Sequence, residues 1–270
     1  MNGIYKFERE TMLNGENIHI RKDVGSSGYR KHWHNYYEII IYMSSNGVCN
    51  LNGTDYEIKD RTLFLLTPKD FHQIFLDGNS ASSCIVIAFT ENAVDTSLVD
   101  RLTENAMVVY AVSDSITELA YMMLGAFESD SRYRRQQLEH LLNSLLVEVL
   151  NCGICAGHGS SELNPVVRSA VSYVITNPSE DLTLDAVSGM FGLSPSYFST
   201  LFRQSTGITY KKYVTSIRID YAKRLLEDGK MSVLEVGLEC GFNTPSQFIR
   251  AFRDMTGETP SGFRTRKRKL

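Results

Sequence analysis

Imidazole and carboxylate side chains gather in the stretch HWHNYYEIIIYM, residues 32–43. If this stretch is one β-strand, alternate residues share a face, so His32, His34, Tyr36 and Glu38 lie together. His72 follows Glu38 by 34 residues. Such nitrogen and oxygen donors can bind a transition metal, or can hydrogen-bond a small polar molecule. The spacing therefore predicts a ligand site in the first half of the chain.

The spacing H-x-H-x3-E with a later histidine resembles the metal motif of cupins, which are small β-barrels. The match is imperfect, because PKDFH, residues 68–72, lacks the expected glycine and is one residue short. We expect a small-molecule effector site, without a cofactor, a metal ion or a catalytic residue. Its predicted residues are His32, His34, Tyr36, Glu38 and His72. A bound metal, or histidines that are simply part of the core, are the alternatives.

The elements that position these residues are short strands. Runs such as YEIIIYM, TLFLLTP and SCIVIAF, separated by Gly, Asn, Asp and Pro, fill the first 110 residues or so. Many short strands with turn signals predict a β-sandwich or barrel.

A helical period follows the strands. Leu138, Leu142, Leu145 and Val149 recur in steps of four, three and four, which is a heptad-like stripe. Such a stripe can pack on its own barrel or against a second copy of the chain. We expect both uses, with part of the stripe shared between subunits.

Charge divides the chain unevenly. The net charge is -3, yet the residues from Asn164 onward carry 15 Lys and Arg against 10 Asp and Glu, whereas the rest carries 13 against 21. A basic end on an acidic protein indicates a separate module with a polyanionic partner.

The five cysteines, including those of CGIC at 152–155, form no disulfide framework, and we expect free thiols.

One short segment is written twice. LSPSYFSTLFRQSTG, 193–207, recurs fifty residues later as NTPSQFIRAFRDMTG, 243–257. Each copy keeps an apolar i, i+3, i+4 face, and each follows a shorter apolar segment that ends at Gly192 or Gly241. Two short helices joined by a glycine turn, the second with a polar outer face, are typical of a helix-turn-helix. The helical pattern of 210–227 between the copies would span about 27 Å, close to one DNA turn of about 34 Å.

The region from about Val166 to Arg264 resembles the paired helix-turn-helix domain of the AraC/XylS family of bacterial transcription regulators. The matching segments are LTLDAVSGMFGLSPSYFSTLFRQSTG, IRIDYAKRLL and VLEVGLECGFNTPSQFIRAFRDMTGETPSGFR. The small residue in each first helix, usually alanine in this family, is Ser188 in one copy and Gly237 in the other. Glycine is expected to weaken its helix by up to about 1 kcal/mol relative to alanine.

The resemblance implies an α+β protein with a cupin-like sensor barrel followed by an all-α DNA-binding domain. We expect the barrel over 1–112, a helical dimerisation segment over 113–151, a linker over 152–163 and the double helix-turn-helix over 164–270.

DNA contacts are expected from the outer faces of the two repeated helices. Arg250 is the strongest base reader, because a guanidinium can bond guanine O6 and N7 together. Arg203, Arg253 and the tail RTRKRK are expected at phosphates, although the tail can equally be a solvated end. The predicted DNA-binding residues are Ser196, Ser199, Thr200, Arg203, Ser246, Gln247, Arg250 and Arg253.

We therefore expect a non-enzymatic transcription regulator that binds promoter DNA as a homodimer and responds to an effector, for which the resemblance suggests a carbohydrate as one class. Activation would require contact with RNA polymerase. The absence of an export signal and of a membrane-spanning run favours the cytoplasm. The alternative is a metal-dependent cupin enzyme fused to a DNA-binding domain.

Overall fold

The computed structural model describes residues 5–7, 16–25, 28–68, 70–77, 82–104, 106–152 and 164–267. The chain divides into two units, Met1–Glu162 and Leu163–Leu270. The predicted linker, 152–163, lies outside the described residues except for Cys152.

Two five-stranded sheets form the first unit. The first sheet has the order β1-β3-β8-β5-β6 and the second has the order β10-β7-β4-β9-β2. The pairings are antiparallel except for that of β1 with β3. The strands are β1 (Tyr5–Phe7), β2 (Ile18–Val24), β3 (Gly28–His34), β4 (Tyr37–Ser44), β5 (Gly47–Leu51), β6 (Thr54–Ile58), β7 (Thr62–Leu66), β8 (His72–Leu76), β9 (Ser83–Phe89) and β10 (Met107–Val109).

Strand β4 is buried on both faces. Ile40 and Tyr42 pack with residues of the opposite sheet, whereas Ile39 and Ile41 pack in the core shared with helices. Because successive side chains of a strand alternate between faces, a strand covered on both sides requires an unbroken apolar run. The run YEIIIYM meets this requirement.

Helices cover the outer face of the second sheet. They are α1 (Thr96–Glu104), α2 (Asp114–Phe127) and α3 (Arg134–Asn151). The α3 residues Leu138, Leu142, Leu145 and Val149 are at most 3 % exposed and belong to this sheet–helix core. The expectation that part of this stripe is shared between subunits is therefore wrong, because the second sheet and α2 already bury all of it within the first unit.

The predicted single strand through the histidine-rich segment is also wrong. β3 ends at His34 and β4 begins at Tyr37, and the two strands lie in different sheets. The bend at Asn35 and Tyr36 carries the chain from one sheet to the other. Strand alternation thus does not explain how His34 and Glu38 meet.

The second unit is all helical. Its elements are α4 (Pro165–Thr176), α5 (Leu184–Met190), α6 (Pro195–Thr206), α7 (Tyr210–Asp228), α8 (Val233–Glu239), α9 (Pro245–Thr256) and α10 (Pro260–Lys267). The 19 residues of α7 span about 28 Å. This helix contacts both α6 and α9, so it joins the two short-helix pairs. The α+β, two-domain fold class is confirmed.

Two glycines in equivalent short helices have opposite surroundings. A Cβ added to Gly237 in α8 would lie 2.8 Å from Cδ1 of Phe248, a ring that is 1 % exposed. A Cβ added to Gly189 in α5 would meet no heavy atom within 4 Å. Gly237 therefore allows α9 to approach α8 closely, as expected of a small residue at the helix crossing, but the space is too small for the alanine that is usual in the family.

We predict that Gly189→Ala raises the free energy of unfolding of the second unit by up to about 1 kcal/mol, through helix propensity. Gly237→Ala gains the same propensity but overpacks Phe248, so a net loss of about 1 kcal/mol or more is expected. Urea unfolding followed by far-ultraviolet circular dichroism measures both. Stabilisation by both substitutions would contradict the close packing at Gly237.

Candidate functional site

The first helix-turn-helix is built around a left-handed glycine. Gly192 between α5 and α6 has a φ of 65°, a conformation that residues with a Cβ rarely adopt. The Thr183 hydroxyl accepts a hydrogen bond from the backbone N–H of Ala186 and so caps α5, while Ser194 caps α6 in the same way. Pro195 occupies the first turn of α6, where no N–H is needed.

The second helix-turn-helix repeats this construction. Gly241 has a φ of 75°, Thr244 caps α9, and Pro245 begins that helix. Ser232 and Glu235 form a reciprocal capping box at the start of α8. The two pairs thus share turn and cap chemistry although their loops differ by one residue.

Aromatic packing holds each second helix in place. Phe202 of α6 lies 5.5 Å from the ring of Tyr213, and Phe252 of α9 lies 5.6 Å from the ring of Phe263. These distances are typical of interacting aromatic pairs. Tyr213 and Phe263 stand at the same fifty-residue offset as the rest of the repeat.

The structural repeat is longer than the sequence interpretation allowed. The hydroxyls of Thr206 and Thr256 both donate to a carbonyl four residues back and to one two residues ahead. Thr209 and Thr259 then each accept a hydrogen bond from a backbone N–H three residues on. The paired signals TGIT and TGET could have revealed this extension.

The predicted DNA-facing residues lie on the outer faces of α6 and α9. Seven are exposed and one, Ser199, is half-buried. The Thr200 hydroxyl donates to the carbonyl of Ser196, 3.0 Å away. The exposed residues are Ser196, Thr200, Arg203, Ser246, Gln247, Arg250 and Arg253. Of the basic tail, residues 268–270 lie outside the described part of the chain.

Two exposed apolar residues on these helices were missed. Tyr197 on α6 is 57 % exposed and Ile249 on α9 is 42 % exposed. Apolar side chains on a reading helix can contact the methyl group of thymine. Each is next in sequence to a buried phenylalanine, Phe198 or Phe248, and this position could have indicated that its side chain lies off the buried face.

A cavity of about 280 Å³ lies between the two sheets of the first unit. Four of the five predicted effector residues line it, and the fifth, His34, lies outside the lining. One part of the wall is polar and the rest is apolar, with Ile40, Ile74 and Val86 among the apolar residues. The predicted residues in the lining are His32, Tyr36, Glu38 and His72.

His34, Glu38 and His72 converge at one edge of this cavity. Glu38 Oε2 lies 3.5 Å from His34 Nε2 and 3.8 Å from His72 Nε2. All three side chains are buried, and one ligand atom of each lies within 4.8 Å of the others. His32 lies beside them, with its ring centroid 4.0 Å from that of His72.

Burial and neighbouring groups shift the pKa values of His32, His72 and Glu38. Burial lowers the pKa of His32 to about 4, although the hydrogen bond to the Arg30 carbonyl acts in the opposite direction. Burial, together with His32 and His34, lowers the pKa of His72 well below its usual value. For Glu38, burial favours a higher pKa, but the neighbouring His34 and Arg21 outweigh it, and the pKa is lowered.

The polar wall includes residues of β2 that the sequence interpretation missed. Arg21 Nε donates to Asp23 at 3.0 Å, and the Tyr29 hydroxyl donates to the same carboxylate. Arg21 Nη1 is buried without a hydrogen-bond partner in the described part of the protein. Alternation in IHIRKDV, with Ile18 and Ile20 on the other face, could have indicated this polar face.

Two family models match the chain. The AraC-like ligand binding domain matches residues 17–146, and a helix-turn-helix domain matches residues 187–266. Together they cover more than two thirds of the sequence. The chain belongs to the AraC family.

Curated AraC-type relatives align along most of this chain. An uncharacterised HTH-type transcriptional regulator of Bacillus subtilis, YfiF, is 22 % identical over 87 % of the chain and 78 % of its own length. The HTH-type transcriptional activator RhaS of Pectobacterium atrosepticum is 22 % identical over 88 % of each protein. An apo structure of a ToxT variant from Vibrio cholerae covers 93 % of this chain and 98 % of its own, at 14 % identity and a TM-score of 0.44.

This AraC-family protein is therefore a transcription regulator with a ligand-binding domain in its first unit and a helix-turn-helix DNA-binding domain in its second. The predicted family and general function are confirmed. Within the described residues, none of the helices has both the length and the apolar character that crossing a bilayer requires.

Arg218 of α7 connects the two helix-turn-helix units of the AraC-family domain. Its guanidinium donates to the carbonyls of Pro178 and Glu180, which precede α5, and to that of Gly241 in the second turn. A Cβ on Gly241 would lie 2.6 Å from Nη2 of this side chain. Arg218 thus fixes the position of the second turn relative to the segment that leads into α5.

We predict that Arg218→Ala lowers the free energy of unfolding of the second unit by about 2 kcal/mol, since three carbonyls lose a charged donor. Lys212→Ala removes an exposed cation from the first turn of the same helix and should change this free energy by less than about 0.5 kcal/mol. Circular dichroism in urea follows the helices, while fluorescence of Trp33, the single tryptophan, follows the first unit. Equal effects of the two substitutions would contradict the bridging role of Arg218.

Proposed function

We propose that this regulator reads an asymmetric DNA site with two different helices, α6 and α9, and that a small molecule in the cavity alters its promoter occupancy. One observation carries the proposal: α6 and α9 dock through the same phenylalanine positions, but their outer faces differ. Phe198 and Phe202 repeat as Phe248 and Phe252, but the exposed residues change from hydroxyls to Gln247 and Arg250. Because both helices dock through the same rings, their outer faces are presented in the same way, and the different residues on those faces would contact different bases.

Arg250 is the principal base reader in this proposal. It is exposed on α9, and Asp254 one turn later lies 3.7 Å from its Nε. The attraction in an exposed ion pair at this distance is weak. The Arg250 guanidinium therefore remains available for bidentate contact with guanine. Arg203 and Arg253, in the last turns of α6 and α9, are suited to phosphates.

We predict that Arg250→Ala loses about 1 to 3 kcal/mol on the selected DNA site and little on random DNA. Arg253→Ala is the matched control, because the loss of a phosphate contact should weaken binding on both DNAs alike. The site is obtained by sequencing the fragments that the purified protein retains, and affinities are measured at one fixed salt concentration. Uniform weakening by Arg250→Ala would contradict its role in base reading.

The cavity fits an effector with both polar and apolar parts. Arg21 Nη1 is a buried donor that needs an acceptor oxygen, and Tyr29 and His32 provide further polar groups in the wall. Burying a donor without a partner costs roughly 1–3 kcal/mol, which an effector oxygen would recover. A hydroxyl or carboxylate of a small metabolite, a carbohydrate among them, would satisfy it. Retention of promoter fragments with and without such metabolites tests this part.

We infer a homodimer formed through the outer faces of the helical segment 113–151. The buried stripe of α3 is not available, but Tyr121 and Met122 on α2 are 44 % and 55 % exposed, and Val147 on α3 is 42 % exposed. Exposed apolar side chains of this size favour a partner surface. A second copy of the chain presents the same surface and can cover it symmetrically.

We predict that Met122→Glu shifts the protein toward monomer in light scattering at micromolar concentration, because a charge would be buried at the dimer contact. Asn92→Glu adds the same charge at an exposed position outside the helical segment and should leave the dimer intact. A wild-type monomer under these conditions, or equal effects of both substitutions, would count against this interface.

The protein acts, in this proposal, as a non-enzymatic cytoplasmic regulator, and activation would involve contact with RNA polymerase. The His34, Glu38 and His72 cluster favours one other function, that of a metal-dependent cupin enzyme with a DNA-binding domain. Turnover of a small substrate that requires metal and is lost with Glu38→Gln would support the enzyme. Promoter binding that changes with a metabolite which is recovered unaltered would support the regulator.

A further inference from the structure

The convergence of His34, Glu38 and His72 leaves polar atoms without partners. His34 Nε2 and both ring nitrogens of His72 are buried and lack a hydrogen-bond partner within the described ranges. Buried polar atoms in native proteins are nearly always paired, and each exception requires an explanation. Three such nitrogens around one buried carboxylate point to a missing partner of positive charge.

The hydrogen bond on the far side of His34 fixes what faces Glu38. His34 Nδ1 lies 2.7 Å from the carbonyl oxygen of Tyr36. A carbonyl only accepts, so Nδ1 carries the hydrogen, and in the neutral ring Nε2 presents a lone pair toward Glu38 Oε2, 3.5 Å away. A lone pair and a carboxylate repel unless a cation, either a proton or a metal ion, lies between them. A proton on His34 would relieve this contact but leave His72 unpaired.

The hydrogen bond from His34 Nδ1 to the Tyr36 carbonyl is of the kind that orients histidine ligands in metal sites. A metal-binding imidazole usually donates its other N–H to a carbonyl or carboxylate, which fixes the ring. The ring of His34 is also stacked on that of Tyr36, at 4.2 Å and 9°. His72 begins β8 opposite His32 and Leu51, so strand pairing fixes its backbone.

The separations fit a single ion. Ligands about 2.0–2.2 Å from zinc lie roughly 3 to 4 Å from one another, and the two distances to Glu38 are 3.5 and 3.8 Å. We propose that His34, Glu38 and His72 bind one divalent transition-metal ion that leaves coordination positions open toward the cavity. Two imidazoles and one carboxylate suit zinc, iron, cobalt or nickel rather than calcium or magnesium.

The cavity explains where the open positions face. Glu38 and His72 line it and His34 does not, so an ion held by all three would lie at the cavity wall with its open positions accessible from the cavity. An oxygen or nitrogen of the effector can complete the coordination shell. This last step rests on the proposed effector site, whereas the metal site itself stands on the three residues.

The test uses the purified full-length protein, stripped with a chelator and titrated with Co²⁺ as the probe. We expect about one ion per chain by elemental analysis, with visible absorption that reports nitrogen and oxygen ligands. His72→Gln and Glu38→Gln should each weaken Co²⁺ binding more than about tenfold. His140→Ala removes an exposed histidine of α3 and should bind as the wild type does.

Folding of the variants is followed by Trp33 fluorescence on heating. Co²⁺ should raise the melting temperature of the wild type and of His140→Ala, but not of His72→Gln. Wild-type protein that binds no stoichiometric Co²⁺, or a folded His72→Gln variant that binds it normally, overturns the metal site. Metal-free protein that still responds to a metabolite on promoter DNA would overturn the coordination of the effector by the ion, while Co²⁺ binding by the three residues decides the metal site itself. Stoichiometric Co²⁺ on the three residues, in protein that retains no specific DNA, would support the metal site and refute the proposed function.

Discussion

Burial of two phenylalanines on each of α6 and α9 is the constraint on which the DNA-binding unit depends. Phe198 and Phe202 of α6, and Phe248 and Phe252 of α9, are at most 1 % exposed. A helix fixed by rings at i and i+4 has its opposite face turned outward. The docking face is therefore repeated, and only the outer face is free to differ between the two copies.

The same constraint governs the residues around each helix. Gly192 and Gly241 let the chain turn tightly enough to bring the phenylalanines onto the preceding helix. Gly237 leaves room for Phe248 itself. Arg218 then ties the two copies together through three carbonyls, so the spacing of the reading helices is a property of one folded unit.

In the ligand-binding unit, the constraint is that the second sheet is covered on both faces. The helices occupy the outer face of the second sheet, and its inner face meets the first sheet. Polar residues on the inner faces are thereby enclosed rather than solvated. Arg21, Glu38 and His72 share a cavity of about 280 Å³, where unpaired donors and lone pairs are costly and a ligand can satisfy them.

The parts that could be predicted from the sequence are those with a local pattern. The repeated helices, their caps and their glycine turns follow from spacing within about 28 residues, because helix chemistry is local. The repeat extends to Tyr213 and Phe263 at the same offset in the sequence, beyond the segments that end at Gly207 and Gly257.

Long-range pairing accounts for what the sequence did not reveal. The alternation of His32 through Glu38 indicated one strand, whereas the chain passes from one sheet to the other at Asn35 and Tyr36. The four residues chosen from it nevertheless lie near one another. The stripe of α3 looked like a subunit seam because a heptad pattern does not tell which surface covers it. Arg21 joins the cavity only through the pairing of β2 with β9.

We propose that one chain places two different helices in successive major grooves, and footprinting of the full-length protein on its selected DNA at single-nucleotide resolution tests this arrangement. We expect two protected major-groove segments per chain, about one helical turn or roughly 10 base pairs apart on one face of the duplex. Substitution of Arg250 should remove protection from one segment only. A single protected segment per chain, or loss of both segments together, would contradict it.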